Sequence, residues 1–303
     1  MTITGAAAYH EHDRETTRLH KSKGVTVPMP AFEQDHVIKT APNGPELRCE
    51  AAGLDWISEA EASGGIHAAR VLEVSGTHLI EERIEVGAPS PAAARRIGAA
   101  LARTHAAGAP WFGCPPPGAP TDARGIGRAG TPYAPKDDAR ASWGAFFAEY
   151  RIRYYVRMLV DEGALDRHEA LLLERVAQRL ESGEFDAPQP ALVREQGAAC
   201  ARLHGDLWAG NMLYLADPDA PTGGAVIDPM AYGGHAETDL AMLALFGYPY
   251  LEEVLAGYDE ASPIADGWRD RVGLHQLAPL LLHCVLFDGG YIGETLRCAR
   301  RYA

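Results

Sequence analysis

The side chains best suited to chemistry lie close together in the segment HGDLWAGN, residues 204–211. Asp206 and Asn211 are five residues apart, and the glycines around the turn allow a tight loop to return both side chains to one cleft. Asp228 ends another apolar run, AVI, seventeen residues beyond Asn211. The spacing predicts that these three oxygen-bearing side chains converge on one point.

Convergent carboxylate and amide oxygens of this kind suit phosphoryl transfer. Mg²⁺ takes hard oxygen ligands and keeps several waters, which makes Asn211 and Asp228 the candidate metal ligands. The remaining carboxylate, Asp206, is the candidate catalytic base that orients and deprotonates an acceptor hydroxyl. Each residue taken singly also has a structural explanation, in a cap or a turn. The joint spacing favours the functional interpretation.

A zinc site built on His204 and Asp206 is an alternative, because two ligands two residues apart at a strand end can bind that metal. The further histidines that such a site needs are missing nearby in the sequence. We therefore interpret His204 as a buried structural histidine that bonds to the backbone. The five cysteines are scattered without a C-x-x-C pair, so they predict reduced thiols and no cysteine-built metal site.

A candidate phosphate-binding pair lies earlier in the chain. Lys39 follows Val37 and Ile38 in a strand-like run, and Glu50 comes eleven residues later on a predicted helix. A strand lysine paired with a helix carboxylate clamps the phosphates of a nucleotide in kinases. The residues alone favour a second interpretation equally, in which Lys39 is a surface lysine and Glu50 is an unrelated glutamate on the helix face.

Charge and hydropathy narrow the possible partners. Forty-one acidic residues against 28 basic ones give a net charge of −13 without a basic stripe, so we expect no nucleic-acid partner. No apolar run reaches the length of about 18 residues that a membrane-spanning helix needs. Residues 1–30 also lack the apolar core of a secretion signal. These features predict a cytoplasmic protein with no membrane partner.

Short strand-like runs dominate the chain before residue 87, at 25–29, 37–40, 69–75 and 78–84. The last two flank Gly76 and Thr77 and are predicted to form a hairpin. Between the run at 37–40 and this hairpin, apolar residues at helical spacing predict a helix over 45–61, which carries Glu50.

Helical patterns dominate after residue 87. Ser90 followed by Pro91 predicts a capped helix that continues to about residue 105. A loop rich in proline and glycine follows over 108–136. Aromatic residues at helical spacing between Trp143 and Tyr154 predict a long helix whose aromatic stripe packs in the core.

The remainder of the chain predicts a polar insert between helices. Asp166 and Glu169 form a capping box for a helix over 167–180. Short apolar runs are predicted at 201–204, 212–215 and 225–228, and helices at 238–246, 251–258 and 268–302. A β-rich nucleotide-binding lobe of residues 1–85 joined to a helical catalytic and acceptor-binding lobe of residues 86–303 is an α+β arrangement. We predict a bilobal, protein-kinase-like fold with the active site in the cleft.

The strings HGDLWAGN and VIDPMAYGGHAETDLAMLALFG resemble the fructosamine kinase (ketosamine-3-kinase) family, within the aminoglycoside-phosphotransferase-like kinases. Residues 267–302 are similar to the C-terminal helices of that family, and WGAFFAEYRI and FGCPPPGAPTDARGIG resemble its middle part more loosely. The tryptophan in HGDLWAGN favours fructosamine kinases over the wider group, whose catalytic loop more often lacks it. The resemblance extends over about residues 69–303.

This resemblance implies a kinase that uses ATP and Mg²⁺. Asp206 would be its catalytic base, and Asn211 and Asp228 would hold the metal ion. Lys39 and Glu50 would clamp the phosphates of ATP.

The resemblance also implies where the two substrates lie. Glu82, Arg83 and Ile84, at the end of the second hairpin strand, would form the hinge whose backbone receives the adenine. The indole of Trp208 would stack on the sugar of the acceptor, the alternative being that it packs under the loop. Three residues follow the metal-binding loop. His235 and Glu237 would line the acceptor cleft, and Asp239 would fix the loop by hydrogen bonds.

One segment departs from the pattern of the family. A glycine-containing nucleotide loop is expected before Lys39, but the only glycines there are Gly5 and Gly24, 19 residues apart. A loop that brings backbone amides close to phosphates normally needs residues without Cβ. Residues 1–35 are therefore an atypical start for a nucleotide-binding lobe.

The sequence predicts an enzyme that phosphorylates a sugar hydroxyl of a small-molecule ketosamine, such as a fructosamine or ribulosamine adduct. Two alternatives stay open. One is the same chemistry on an aminoglycoside or another small acceptor, and the other is a degenerate kinase homologue that binds ligands without turnover. No sequence feature indicates an oligomeric state.

Overall fold

The computed structural model of the chain describes residues 31–32, 35–41, 45–120 and 129–303. Its strands are β1 (Ala31–Phe32), β2 (His36–Thr40), β3 (His67–Ala68), β4 (Val71–Val74), β5 (His78–Glu82), β6 (Ala201–Leu203), β7 (Met212–Tyr214), β8 (Gly224–Val226) and β9 (Tyr232–Gly234). Its α-helices are α1 (Pro45–Ser58), α2 (Pro91–Ala106), α3 (Trp143–Phe147), α4 (Tyr154–Asp161), α5 (Arg167–Glu181), α6 (Ala191–Glu195), α7 (Glu237–Leu245), α8 (Leu251–Ala261), α9 (Trp268–Leu286) and α10 (Ile292–Ala299). The predicted strand at 25–29 lies outside the described residues. In the ranges given above, no helix is both long and apolar enough to cross a membrane.

The sheet of the small N-terminal lobe, called the small sheet below, has four strands in the order β1-β2-β5-β4. All of its strand pairs are antiparallel. The predicted hairpin is confirmed as β4 and β5. Lys39 lies opposite Leu79, and paired residues of an antiparallel sheet point to the same face. Helix α1 covers that face, where Leu47, Ala51 and Leu79 form a small apolar core. The sheet therefore directs Lys39 toward the helix that carries Glu50.

Helix α2 approaches helix α8 closely enough that their backbones nearly touch. Its start is capped as predicted, because the Ser90 hydroxyl accepts a hydrogen bond from the Ala93 amide at 3.2 Å. A Cβ added at Gly98 would lie 2.0 Å from the carbonyl oxygen of Val254. Helices α2 and α8 can approach this closely because Gly98 has no side chain.

The predicted aromatic helix is present as α3, a π-helical segment (Ala148–Arg153) and α4 in direct succession. Trp143 and Phe146 are buried, as the core interpretation predicts. The π-helical segment contains Arg151, whose guanidinium is buried 4.4 Å above the ring of Tyr232. The capping box predicted for α5 is also present.

Two short antiparallel ladders, β6 with β9 and β7 with β8, carry the polar insert. Strand β3 pairs with β8 in parallel, with His67 opposite Ala225. This pairing joins the segment before residue 86 to the strand that leads into Asp228. Strands β1, β3 and β9 were not predicted. The first two have only two residues each, and two of the three residues of β9 are glycines, which are depleted in strands.

The range 268–302 is helical as predicted, but the structure divides it into α9 and α10 with a break that the prediction did not place. Asp288 and Gly289 between them have φ angles of 49° and 82°, in the left-handed region, which a right-handed helix cannot include. The sequence does carry a signal for this break, Asp288-Gly289-Gly290, because D-G and G-G dipeptides mark turns, and the prediction passed over it. The break leaves Phe287 and Tyr291 beside the C-terminal end of α9.

Gly98→Ala tests the contact between α2 and α8. The added methyl group has no space at the Val254 carbonyl, so we expect overpacking to lower the free energy of unfolding by about 1–3 kcal/mol. Gly76→Ala is the matched control, since a Cβ at Gly76 would meet nothing within 4 Å. Urea unfolding of both variants checks this, and equal stability of the two would contradict the close approach.

Candidate active site

Lys39 lies between the two lobes, where three carboxylates surround its ammonium group. Its Nζ is 2.5 Å from Oε1 of Glu50 and 2.7 Å from Oε1 of Glu81, and it also contacts Oδ1 of Asp228. Burial opposes the charged form, but the three carboxylates together raise the pKa of Lys39 above its usual range. The predicted contact between Lys39 and Glu50 is present, and the contact with Asp228 connects the small sheet to the helical lobe.

The sequence analysis missed Glu81. Its side chain is 2% exposed, and its Oε2 makes no hydrogen bond within the part of the chain that the structure describes. Burial raises the pKa of Glu81, although the neighbouring Lys39 opposes the shift. Alternation along β5 could have revealed it, since Leu79 and Glu81 are the two buried residues of that strand.

The loop at 204–211 brings Asp206 and Asn211 together as predicted. Nδ2 of Asn211 donates to Oδ2 of Asp206 at 3.0 Å and to its backbone carbonyl at 2.9 Å. Burial, and then the negative charge of Asp228, raises the pKa of Asp206 to about 7. A carboxylate with a pKa near neutrality can exchange a proton with an acceptor group.

His204 has the structural role that was predicted for it. Its Nε2 lies 2.8 Å from the carbonyl oxygen of Ile227, and its Nδ1 accepts the amide hydrogen of Asp206 at 3.2 Å. A carbonyl oxygen only accepts, so Nε2 carries the proton. Because both ring nitrogens are engaged, His204 holds the loop against the strand end and is not disposed as a zinc ligand.

Asp239 anchors the same loop from α7, as expected. Its Oδ2 accepts the amide hydrogen of His204 at 2.7 Å and its Oδ1 that of Gly205 at 3.0 Å. Nε2 of His105, on α2, lies 3.1 Å from Oδ2. Burial by itself would raise the pKa of Asp239, but these hydrogen bonds and the two histidines hold it below its usual range. The carboxylate thus connects the loop to two helices.

Asp228 and Asn211 offer oxygen atoms that fit a hard cation. Asp228 follows β8 with a φ of 54°, a conformation that aspartate adopts more readily than most residues, and its side chain is 46% exposed toward the cleft. The amide nitrogen of Asn211 is committed to Asp206, so its Oδ1 is the end that can face a metal. A carboxylate and an amide oxygen are the ligand types that Mg²⁺ prefers.

A small cavity of about 40 Å³ opens beside Asp206. The residues that line it come from the segments 131–155, 205–242 and 278–283, and they include Arg151, Tyr232 and His283. None of these three was predicted as a site residue. Their positions along the chain carry no signal, because only tertiary packing brings them to Asp206.

Trp208 lies at the surface of the loop. Its side chain is 39% exposed, and a Cβ added at Gly210 would lie 2.4 Å from the indole ring. Gly210 therefore leaves the space that the indole occupies, and part of the indole stays accessible to a ligand.

The expectation that His235 and Glu237 line the acceptor cleft is wrong, because both are 2% exposed. His235 follows the buried strand β9, and burial lowers its pKa to about 4. Burial alone would raise the pKa of Glu237, but His275 and Arg271 lower it to about 2. The Arg271 guanidinium is 2.5 Å from Glu237. These side chains form an interior ion-pair network.

The segment predicted as the hinge begins at Glu82, the last residue of β5, and continues beyond the strand. The amide of Glu82 donates to the carbonyl of Arg70 at 2.8 Å, and that of Arg83 donates to the carbonyl of Asp35 at 3.3 Å. Ile84 is partly buried against the main core. The segment crosses between the lobes, but the amides of Glu82 and Arg83 already have protein partners.

The β-rich lobe carries the lysine-carboxylate cluster, and the polar loop lies between it and the helical lobe. Together they define a protein-kinase-like fold. An aminoglycoside phosphotransferase in its ADP-bound form has the same fold, with a TM-score of 0.55 at 13% identity, and the match covers 99% of each chain. The sequence model of the family described as "Fructosamine kinase" matches residues 33–302. The chain belongs to the fructosamine kinase family.

Individual relatives agree with this membership. A crystal structure of a candidate fructosamine-3-kinase from Thermobifida fusca is 34% identical, with a TM-score of 0.74, and the match covers 99% of both chains. A probable ketoamine kinase of Synechocystis sp. is 35% identical over 215 residues, which is 71% of this chain and 64% of the relative. The chain spans about half to two thirds of the length of the curated relatives it matches.

Asp239→Asn tests the anchor of the loop. Asparagine offers one acceptor oxygen and turns an amide NH₂ toward the remaining donors, so we expect the free energy of unfolding at pH 7 to fall by about 3 kcal/mol. The pKa of Asp239 in the folded protein lies below its usual value of 3.8. The ionised Asp239 carboxylate therefore contributes its full stabilisation of the folded protein above pH 3.8. This stabilisation is lost as the pH falls through the lower pKa that Asp239 has in the folded protein.

Urea unfolding between pH 7 and pH 3.5 checks this prediction for the wild type, Asp239→Asn and the exposed control Asp219→Asn. The difference between wild type and Asp239→Asn should stay constant down to about pH 5 and narrow below about pH 4. A variant as stable as the control at pH 7 would show that Asp239 does not hold the loop.

Proposed function

We propose that this protein is an ATP- and Mg²⁺-dependent kinase that phosphorylates a sugar hydroxyl of a ketosamine, such as a fructosamine or ribulosamine adduct. The observation that carries the proposal is the convergence of Lys39, Asp206, Asn211 and Asp228 on one cleft in a chain of the fructosamine kinase family. Phosphoryl transfer depends mainly on positioning and charge stabilisation, and this cleft offers both.

Asp206 is proposed as the catalytic base. Asn211 holds one of its carboxylate oxygens, Oδ2, so the other is oriented toward an acceptor hydroxyl. Its raised pKa and its burial beside the cavity suit a group that takes a proton from that hydroxyl during transfer. The loop hydrogen bonds to Asp239 keep this orientation without movement at the moment of reaction.

Asn211 Oδ1 and the Asp228 carboxylate are proposed to hold Mg²⁺, which would neutralise charge on the phosphates when bound. Lys39 now contacts Asp228, so phosphate binding requires Lys39 to exchange that partner while Glu50 retains it. We assign the adenine to the segment Glu82-Arg83-Ile84. Since the first two amides have protein partners, adenine would meet the backbone of Ile84.

The division of the chain follows from these roles. We propose that residues 1–85 form the nucleotide-binding lobe and residues 86–303 the lobe that binds the acceptor. Trp208 is the proposed sugar contact, because it lies between the base and a metal ligand in sequence and keeps an exposed indole face. An indole can stack on the apolar C–H face of a sugar ring.

A screen for ADP release tests the function directly. Ketosamines, aminoglycosides and amino alcohols are supplied with ATP and Mg²⁺, and we expect release with ketosamines. Release with aminoglycosides alone, or with none of the three classes, would overturn the proposed acceptor.

Asp206→Asn tests the base. The amide keeps the size of the carboxylate but cannot take a proton, so turnover should fall about 100-fold or more while nucleotide binding is nearly unchanged. ADP release and calorimetric nucleotide titration measure the two effects, with Asp219→Asn as the exposed control. A variant that retains most of its turnover would remove Asp206 from the mechanism.

Trp208→Ala tests the acceptor contact. Loss of stacking should weaken ketosamine binding by ~1–2 kcal/mol and raise its KM, with little change in the KM for ATP. A tryptophan that only packs the loop predicts the opposite pattern, with a lower melting temperature and equal harm to both substrates. Steady-state kinetics for each substrate and a melting curve separate the two explanations.

A further inference from the structure

The cavity beside Asp206 has Arg151 in its wall. Arg151 is 2% exposed, and its Nη1 donates to the backbone carbonyls of Pro132 and Tyr150 at 2.9 and 3.0 Å. Its Nη2 is also buried, and no acceptor within the described residues forms a hydrogen bond with it. A buried donor without an acceptor is costly, so a ligand oxygen at this nitrogen would remove that cost.

The charge of Arg151 also lacks a carboxylate partner. In the ranges that the structure describes, two arginines are buried, Arg151 and Arg202, and Arg202 forms an ion pair with Glu59 at 2.9 Å. No carboxylate of those ranges pairs with Arg151, whose guanidinium lies 4.4 Å from the ring of Tyr232 and 4.8 Å from that of Phe146. Buried charges are normally paired, so the protein keeps an uncompensated guanidinium beside the cavity that Asp206 shares.

The backbone at Arg151 is unusual as well. Arg151 lies in the π-helical segment Ala148–Arg153, and a π-helical turn, which takes in an additional residue, occurs frequently at functional sites. Arg153, in the same segment, forms an ion pair with Glu174 at 2.9 Å. Arg153 therefore stabilises the contact with α5, whereas Arg151 lines the cavity.

The size and the charges of the cavity define the group that fits it. Its volume of about 40 Å³ is little more than the share of one water molecule in the liquid, about 30 Å³. Arg151 and Asp206 carry opposite charges, and burial lowers the pKa of His283, which keeps that lining residue neutral near pH 7. Asp206 would repel a second carboxylate, and Arg151 would repel an ammonium group. A neutral hydroxyl group fits, because its oxygen can accept from Nη2.

We propose that Arg151 determines acceptor specificity, its Nη2 donating a hydrogen bond to a hydroxyl oxygen of the acceptor that is not phosphorylated. The phosphorylated oxygen gives its proton to Asp206 and a lone pair to phosphorus, so a donor on that oxygen would oppose its attack. The second hydroxyl fills the cavity, and the phosphorylated one meets Asp206 from the cleft. The inference rests on the proposed function, which places the phosphorylated hydroxyl at Asp206.

The experiment compares 1-amino-1-deoxyfructose, the parent sugar, with its monodeoxy analogues, each of which lacks one hydroxyl group. Binding of each is measured by calorimetry on the full chain with Mg²⁺ and a non-hydrolysable ATP analogue, and turnover of each is measured by ADP release. The variants are Arg151→Met, which keeps a long side chain without a donor, and Arg151→Lys, which keeps the charge without the planar fork. Arg157→Met, at a 59% exposed side chain of α4, is the matched control.

We expect the wild type and Arg157→Met to bind one analogue about tenfold or more weakly than the parent sugar, because that analogue leaves Nη2 without its acceptor. Arg151→Met should bind this analogue and the parent almost equally, and Arg151→Lys should keep only part of the preference. The wild type should still phosphorylate this analogue, with a raised KM and little change in kcat, since it retains the hydroxyl at Asp206.

Two results would overturn the assignment. In the first, Arg151→Met weakens the binding of the parent and of every analogue by the same factor, which indicates a structural arginine and a cavity that holds water only. In the second, the analogue whose weak binding depends on Arg151 is also the one that is not phosphorylated, which places Arg151 on the reacting oxygen. Should Arg151→Met melt far below the wild type, Arg151→Lys decides, and an undiminished preference in that variant would reject the contact.

The two proposals fail in different ways. A preference in binding that depends on Arg151, without ADP release from any sugar, would reject the kinase activity and retain the contact. ADP release with the parent sugar, and no analogue distinguished through Arg151, would retain the kinase activity and reject the contact. Failure of the parent sugar to bind the wild type would also reject the contact.

Discussion

One buried carboxylate, that of Asp239, holds the candidate site in place. It accepts the backbone amides of His204 and Gly205 and contacts His105, whose other nitrogen lies 2.8 Å from the hydroxyl of Tyr258. A buried charge is tolerated only when it is fully paired, so each of these groups has a defined position. The loop that carries Asp206 thereby gains its geometry from α2 and from the consecutive helices α7 and α8, which lie more than 100 residues beyond α2 in the chain.

Lys39 makes the corresponding connection between the lobes. Three carboxylates share one ammonium group, so the cluster holds an excess of negative charge that a metal ion or a proton can balance. Asp228 is the most exposed of the three and the only one from the helical lobe, which makes it the partner that can leave most readily. The parallel pairing of β3 with β8 joins the strand that precedes Asp228 to the segment that leads into the small sheet.

Local patterns predicted much of the fold because their causes are local. The cap at Ser90, the capping box at Asp166 and the hairpin of β4 and β5 depend on a few neighbouring residues, and all are present. The prediction of helix throughout 268–302 failed because it passed over Asp288-Gly289-Gly290, a turn signal at which the backbone becomes left-handed. His235 was misplaced because nearness in sequence to the metal loop says nothing about which side of a buried strand a residue takes.

The sequence by itself determined the kinase-like arrangement and the loop with Asp206 and Asn211, since motif spacing and strand or helix periodicity encode both of them. The contact between Lys39 and Glu50 was implied only by the resemblance to a family, and the structure contains it. Only the tertiary structure decided that Glu81 joins Lys39, that His235 and Glu237 are interior, and that His283 meets Asp206 across one cavity. These placements depend on how helices and strands far apart in the chain pack against each other. A single sequence read without its packing contains no period or motif for such contacts.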